Sequence, residues 1–250
     1  MVGPSLTTKT STQQTYVGRP FHDTAVINNK IDAGAYLTFT AYDAVSGKPD
    51  TNATKLLDNK RVDIPADKIA SSGAGKSITV DSPDVTATKS GIVYWKATLY
   101  NRGGMELATH ELGATGESVL IKNPSITTKV SKEQVSINEE FADTATINGE
   151  LSSGDYVTFD AYAPVSDAPN AQGAKLLDSE RVNIPAKDVS ASQNGQAITV
   201  TSPKTHATEG GNVYWKATLH RANGAVLATH DLGVAGAVSY THLRAHETEL

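Results

Sequence analysis

The sequence has no cysteine in 250 residues. That excludes disulfides, thiolate metal sites and a cysteine nucleophile. Charge of one sign is also scarce: 27 acidic against 22 basic side chains leave a net charge of −5. Such a balance gives no footprint for nucleic acid or an anionic membrane. No apolar run approaches the roughly 20 residues that a membrane helix needs. G-x-S-x-G, P-loop, dinucleotide-binding, EF-hand and H-E-x-x-H motifs are all missing, so no catalytic, cofactor or metal signature is present. Hydrophobic residues make up 38% and charged residues 20%, enough for a modest core.

What the sequence does contain is repetition. PSLTTKTS (Pro4–Ser11) returns as PSITTKVS (Pro124–Ser131), and FHDTAVIN (Phe21–Asn28) as FADTATIN (Phe141–Asn148). KLLDNKRVDIPA (Lys55–Ala66) returns as KLLDSERVNIPA (Lys175–Ala186), VYWKATL (Val93–Leu99) at Val213–Leu219, and LATH (Leu107–His110) at Leu227–His230. Every pair is offset by 120 residues without a gap. That period is too long for a solenoid turn of about 20–50 residues and suits an independent domain. The copies diverge most between Ser46–Thr54 and Ser166–Ala174, both rich in turn formers as a surface loop should be.

Within a copy the pattern is strand-like. In YLTFTAYD (Tyr36–Asp43), Leu37, Phe39 and Ala41 fall on one face and Thr38 and Thr40 on the other. Ile92–Tyr100 is dense in β-branched and aromatic residues. Thr24–Ile31, Arg61–Ile64, Ser77–Val80 and Met105–His110 are shorter candidates, separated by turn signals such as Ser82-Pro83 and Gly103-Gly104. No stretch of a dozen residues holds a helical period. The expected fold is all-β: two tandem Ig-like β-sandwich domains, with Trp95 and Trp215 at their core centres. The first domain is expected over 4–123 and the second over 124–237. Copy two tracks copy one only to Gly236, after which SYTHLRAHETEL replaces ESVLIKN. The reading is therefore that the second domain lacks its last strand and exposes an unpaired edge, and that 238–250 is a non-native or disordered tail. The chain reads as a fragment of a longer repeat protein, with no signal peptide visible.

These motifs, taken in order, resemble the Ig-like stalk domains of large surface proteins of Gram-positive actinobacteria. The carrying segments are ITTKVS, F-x-D-T-A-x-I, G-x-Y-x-x-F-x-A-Y, VYWKATL and L-A-T-H-x-L-G-x-x-G-E-S, and the resemblance covers Pro4–Ala237. It implies a secreted, wall-attached spacer without turnover catalysis, cofactor or metal. It also implies a host protein or glycan partner held by other parts of the parent protein. The chain is expected to be monomeric.

The resemblance further implies a one-time chemistry, because relatives close a Thr–Gln ester between first and last strands, helped by acidic residues and a histidine. Thr8 matches the nucleophile, Asp23 the acid of the D-T-A strand and His110 the histidine. Two positions depart from the pattern. An acid of the VYW strand is replaced by Ala97, and by Ala217 in copy two; the acceptor glutamine falls at Glu117 or Ser118, and the nearest candidate, Glu117, is a poor acyl acceptor unless burial keeps it protonated. Copy two has Thr128, Asp143 and His230 but Ala237 at the acceptor position. Lys9 and Lys129, as neighbours of Thr8 and Thr128 on a strand, should face solvent rather than form isopeptide bonds.

Plainer readings compete for the same residues. His110 and His230 fit strand-end histidines with one hydrogen bond, and Asp23 and Asp143 fit local turn caps. Tyr36, Tyr42 and Tyr94 fit core edges with satisfied hydroxyls rather than a sugar platform. A rival binding module would show an exposed aromatic cluster beside Ser46–Thr54. His242 and His246 have helical zinc-ligand spacing but fall in the suspected tail.

Overall fold

The computed structural model of the chain describes residues 3–166 and 168–243. The chain divides into two compact units, Met1–Asn123 and Pro124–Leu250.

Unit one consists of β1 (Ser5–Thr10), β2 (Gln14–Tyr16), β3 (Pro20–Phe21), β4 (Asp23–Asn28), β5 (Tyr36–Val45), β6 (Lys55–Asp63), α1 (Ala66–Ser71), β7 (Ser77–Asp81), β8 (Val85–Thr86), β9 (Gly91–Tyr100), β10 (Glu106–His110) and β11 (Ser118–Lys122). One main sheet has the order β1-β4-β7; the other has the order β2-β11-β9-β5-β6, with β10 also on β9, and β3 and β8 form a separate two-stranded ribbon. This is a two-sheet β-sandwich of Ig-like order. Leu37, Phe39 and Ala41 are fully buried, as the two-residue alternation predicts.

Unit two repeats the plan with β12 (Ser125–Val130), β13 (Gln134–Ser136), β14 (Asp143–Asn148), β15 (Tyr156–Tyr162), β16 (Lys175–Asn183), α2 (Ala186–Gln193), β17 (Ile198–Thr201), β18 (Gly211–His220), β19 (Val226–His230) and β20 (Val238–His242). Its sheets run β12-β14-β17 and β13-β20-β18-β15-β16, with β19 on β18.

Trp95 and Trp215 are fully buried. Each meets a phenylalanine edge-on: Phe21 at 6.2 Å and Phe141 at 5.8 Å between centroids. The two short helices, absent from the sequence expectation, begin after Pro65 and Pro185. They are too brief to show a helical period, and proline is well placed at a helix start. Their distal serines anchor the loop after the second long strand: Ser72 Oγ accepts from Ile31 N–H at 3.2 Å and Ser192 Oγ from Leu151 N–H at 3.0 Å.

The expectation of a missing last strand is overturned. β20 lies antiparallel to β18 and parallel to β13, in the place that β11 takes between β9 and β2. The sequence hid this strand because its inward positions are Ser239 and Thr241, buried to 0% and 1%, rather than aliphatic residues. Ser239 Oγ donates to Lys132 O at 2.7 Å, and Thr241 Oγ1 shares its one hydrogen between Glu209 O and Gly211 O, each at 2.9 Å, so burying them leaves neither hydroxyl unpaired. Residues 238–242 are thus strand rather than tail; His246, with the rest of 244–250, lies outside the described residues.

Candidate functional site

In each unit the polar residues singled out by the repeat converge where the first strand meets the last part of that unit. β1 alternates outward and inward, so Leu6, Thr8 and Thr10 are buried and Lys9 is exposed; β12 does the same with Thr128 inward and Lys129 outward. β10 and β11 share one edge of β9. His110 pairs with Ala97, and Ser118 with Tyr94. Between them Glu111–Glu117 bulges out, while β9 advances only past Lys96 and Trp95. The bulge closes back onto β1, where Thr10 N–H donates to Gly116 O at 3.2 Å. Glu117 then enters beside Trp95, with its side chain completely buried.

Gly116 makes that approach feasible. Its φ is +94°, and a Cβ there would stand 3.0 Å from Thr8 O; at Gly236, also at +94°, it would stand 2.6 Å from Thr128 O. The L-A-T-H-x-L-G-x-x-G-E-S segment contains Gly116, but the sequence alone assigns it no role. The signal was the recurrence of Gly113 and Gly116 as Gly233 and Gly236.

The histidine is the hub. Thr8 N–H donates to His110 Nδ1 at 2.9 Å, and Thr8 Oγ1 lies 3.1 Å from the same nitrogen. A backbone N–H can only donate, so Nδ1 accepts and the neutral ring carries its proton on Nε2. Glu117 Oε1 stands 2.7 Å from that unprotonated Nδ1 and must itself supply the hydrogen. The electrostatics agree. Burial, and secondarily the neighbouring Asp23 carboxyl, push Glu117 up to about 9, while burial lowers His110. At neutral pH the pair is therefore a carboxylic acid donating to a neutral imidazole, not an ion pair.

Asp23 completes the group. Both its oxygens are buried, and neither has a hydrogen-bond partner of good geometry among the described residues. Burial pushes it up to about 6, opposed first by the nearby Thr8 hydroxyl and the Thr24 N–H. Asp23 is not the turn cap that local sequence suggests: its carboxylate makes no bond to the turn, and its backbone is what is tied there, the N–H donating to Ser82 Oγ at 3.0 Å and the carbonyl accepting from Ser82 N–H at 2.8 Å. Nor is His110 a strand-end histidine with a single bond. The structure brings Thr8, Asp23, His110 and Glu117 into one cluster, in which Thr8, Asp23 and Glu117 are buried and His110 is partly buried.

Unit two reproduces three of the four. Thr128 N–H donates to His230 Nδ1 at 2.7 Å, with Thr128 Oγ1 at 2.8 Å. Asp143 is fully buried and pushed by burial up to about 6. Ala237 fills the Glu117 position. Ala97 and Ala217 lie opposite the two histidines.

A shallow surface depression over the seam is lined by Thr8, Thr10, Gln13 and Gly116, but not by Asp23, His110 or Glu117. The tyrosines offer no free ring face at Tyr36: the Arg61 guanidinium sits 3.8 Å from its centroid and Tyr100 stacks at 5.2 Å. Tyr156 is likewise enclosed by Arg181 and His220. Tyr94, beside the Ser46–Thr54 loop, donates its hydroxyl to Gly47 O at 2.5 Å. No group of three or more metal-ligating side chains forms among the described residues.

No protein-family model matches the chain, and no curated protein matches its sequence. Among solved structures it is similar to the Yersinia pseudotuberculosis adhesin InvE, at 12% identity, 95% coverage of this chain and a TM-score of 0.31. It is also similar to a bacterial adhesin from Mobiluncus mulieris containing intramolecular disulfide, isopeptide and ester bond cross-links. There the identity is 11%, coverage is 87% of this chain and 81% of that one, and the TM-score is 0.36. The chain spans 59% of the InvE structure.

Proposed function

We propose that the chain is a pair of structural spacer repeats from a bacterial cell-surface, wall-attached adhesin-like protein, without turnover catalysis. Host protein or glycan would be bound elsewhere in the parent protein. The observation that carries this reading is that Asp23 and Glu117 are fully buried, Thr8 is 6% exposed and the His110 side chain is only 16% exposed. A turnover enzyme needs such groups in a cleft that substrate can enter. The strand arrangement also suits tension. In each unit a segment near the start, β2 or β13, runs parallel to the last strand. Pulling the two ends of a unit apart loads that ladder in shear, so its hydrogen bonds share the force. The test has two arms, stretching the chain between its termini and screening it against glycans and host matrix proteins. Two cooperative ruptures and no saturable binding are expected; saturable binding by this chain would replace the spacer reading with a binding one.

A second reading, self-cross-linking of unit one, is favoured by the contact of Thr8 and Glu117 with one histidine nitrogen. In that reading Thr8 Oγ attacks Glu117 Cδ. His110 Nδ1 takes the hydroxyl proton and returns it to the departing oxygen, which leaves as water. The protonated state of Glu117 removes the usual objection to a carboxylate acceptor. Intact-mass measurement decides it: a mass lower by one water supports the ester, and an unshifted mass removes it.

A further inference from the structure

The two units offer the same slot for a final strand but hold different occupants. In unit one the slot lies between β9 and β2, and its strand turns Val119 and Ile121 inward, buried to 0% and 1%. They belong to a single continuous core cluster with Phe21, Val93 and Trp95. In unit two the walls keep their character: Val213 stands for Val93, Trp215 for Trp95 and Phe141 for Phe21, each no more than 1% exposed. The occupant does not match them. Ser239 and Thr241 take the places of Val119 and Ile121, and the core breaks into two clusters, one of which holds Phe141, Val213 and Trp215. The larger apolar side chain of β20, Tyr240, points outward and is 50% exposed. Strand β20 therefore makes its backbone ladder but contributes little apolar burial to an apolar slot.

Backbone pairing is available to any extended segment, whereas side-chain fit discriminates between segments. Replacing two hydroxyl side chains by two branched aliphatic ones adds burial at no cost to the ladder. We propose that the slot of unit two, between Gly211–Tyr214 and Gln134–Ser136, is an exchangeable binding site for an extended peptide with β-branched apolar residues at alternate positions. The pattern is that of Glu117–Lys122, and binding displaces β20. Unit one does not exchange, because its own strand already satisfies its slot.

The probe is a fluorescent peptide with the sequence of Gly116–Asn123. It is added to the intact 250-residue chain in two ways, by long incubation of the folded protein and by refolding the protein in its presence. One peptide per chain is expected, with hydrogen-exchange protection changing at Gly211–Tyr214. A control peptide with serine for Val119 and threonine for Ile121 should bind about tenfold more weakly or worse, given the apolar area it forfeits. The chain variant Ser239→Val/Thr241→Ile should lose binding while its second unit melts higher. No binding under either protocol overturns the proposal. So do equal binding of the control peptide, undiminished binding to the variant, or protection that maps to unit one.

Discussion

A carboxylic acid held against a neutral imidazole gives unit one a pH dependence whose sign is fixed. Glu117 keeps its proton in the folded unit up to about pH 9, whereas the unfolded chain releases it near 4.5. The folded state binds more protons throughout that window. Unit one is thus at full strength, in this respect, below the lower value and weakens as pH climbs towards the upper one. At pH 7 the loss is about 3 kcal/mol. Asp23, raised from 3.8 to about 6, adds to the decline in the lower part of the range. His110, lowered by burial, acts oppositely and costs stability only as pH falls below its ordinary 6.5. Melting followed across mildly acid to alkaline pH should show the midpoint of unit one falling, and Glu117→Gln should flatten most of the slope. An esterified Glu117 could not titrate, so a flat profile in the unaltered chain would instead point to the cross-link. In unit two, Gly236→Ala would drive a Cβ to 2.6 Å from Thr128 O at a φ of +94°, and should destabilise that unit by about 1–3 kcal/mol in denaturant titration. Trp95→Ala removes the largest buried side chain of unit one and should cost about 3–5 kcal/mol; a loss below about 1 kcal/mol would show that the ring is not central.

At the level of elements, the strands legible in sequence were those whose burial alternates. Tyr36–Asp43 and Ile92–Tyr100 fall inside β5 and β9. The edge strand β6 was seen only at its end, Arg61–Ile64, because an edge with both faces half-exposed shows no alternation; its burial runs exposed or intermediate from Lys55 to Asp63. β20 was missed for the opposite reason: its inward side chains are polar, and only the waiting ladder of β18 defines it as a strand. The cluster of Thr8, Asp23, His110 and Glu117 was reached through resemblance, not through local pattern. Spacing of 102 residues between Thr8 and His110 carries no signal until the sheets close. Ending the chain after Gly236 should sharply destabilise unit two by opening the edge of β18, and leave the melting of unit one unchanged in calorimetry.

Across the whole molecule, each unit has its own core clusters among the described residues. Two calorimetric transitions are therefore expected, and residues 1–123 expressed alone should melt at the same midpoint as unit one within the chain. A single joint transition would contradict that independence. The seam between the first and final strands also has a consequence in time. Thr8 leaves the ribosome early, yet the histidine, the glycine turn and the strand that hold it arrive about a hundred residues later. A repeat of this design must wait, with its leading strand unsecured, until its final residues emerge. By then the start of the next repeat, which reads almost the same, follows only two residues behind Lys122. Synthesis order thus brings two near-identical leading strands into competition for one docking edge, and the sequence differences between the copies have the effect of telling them apart.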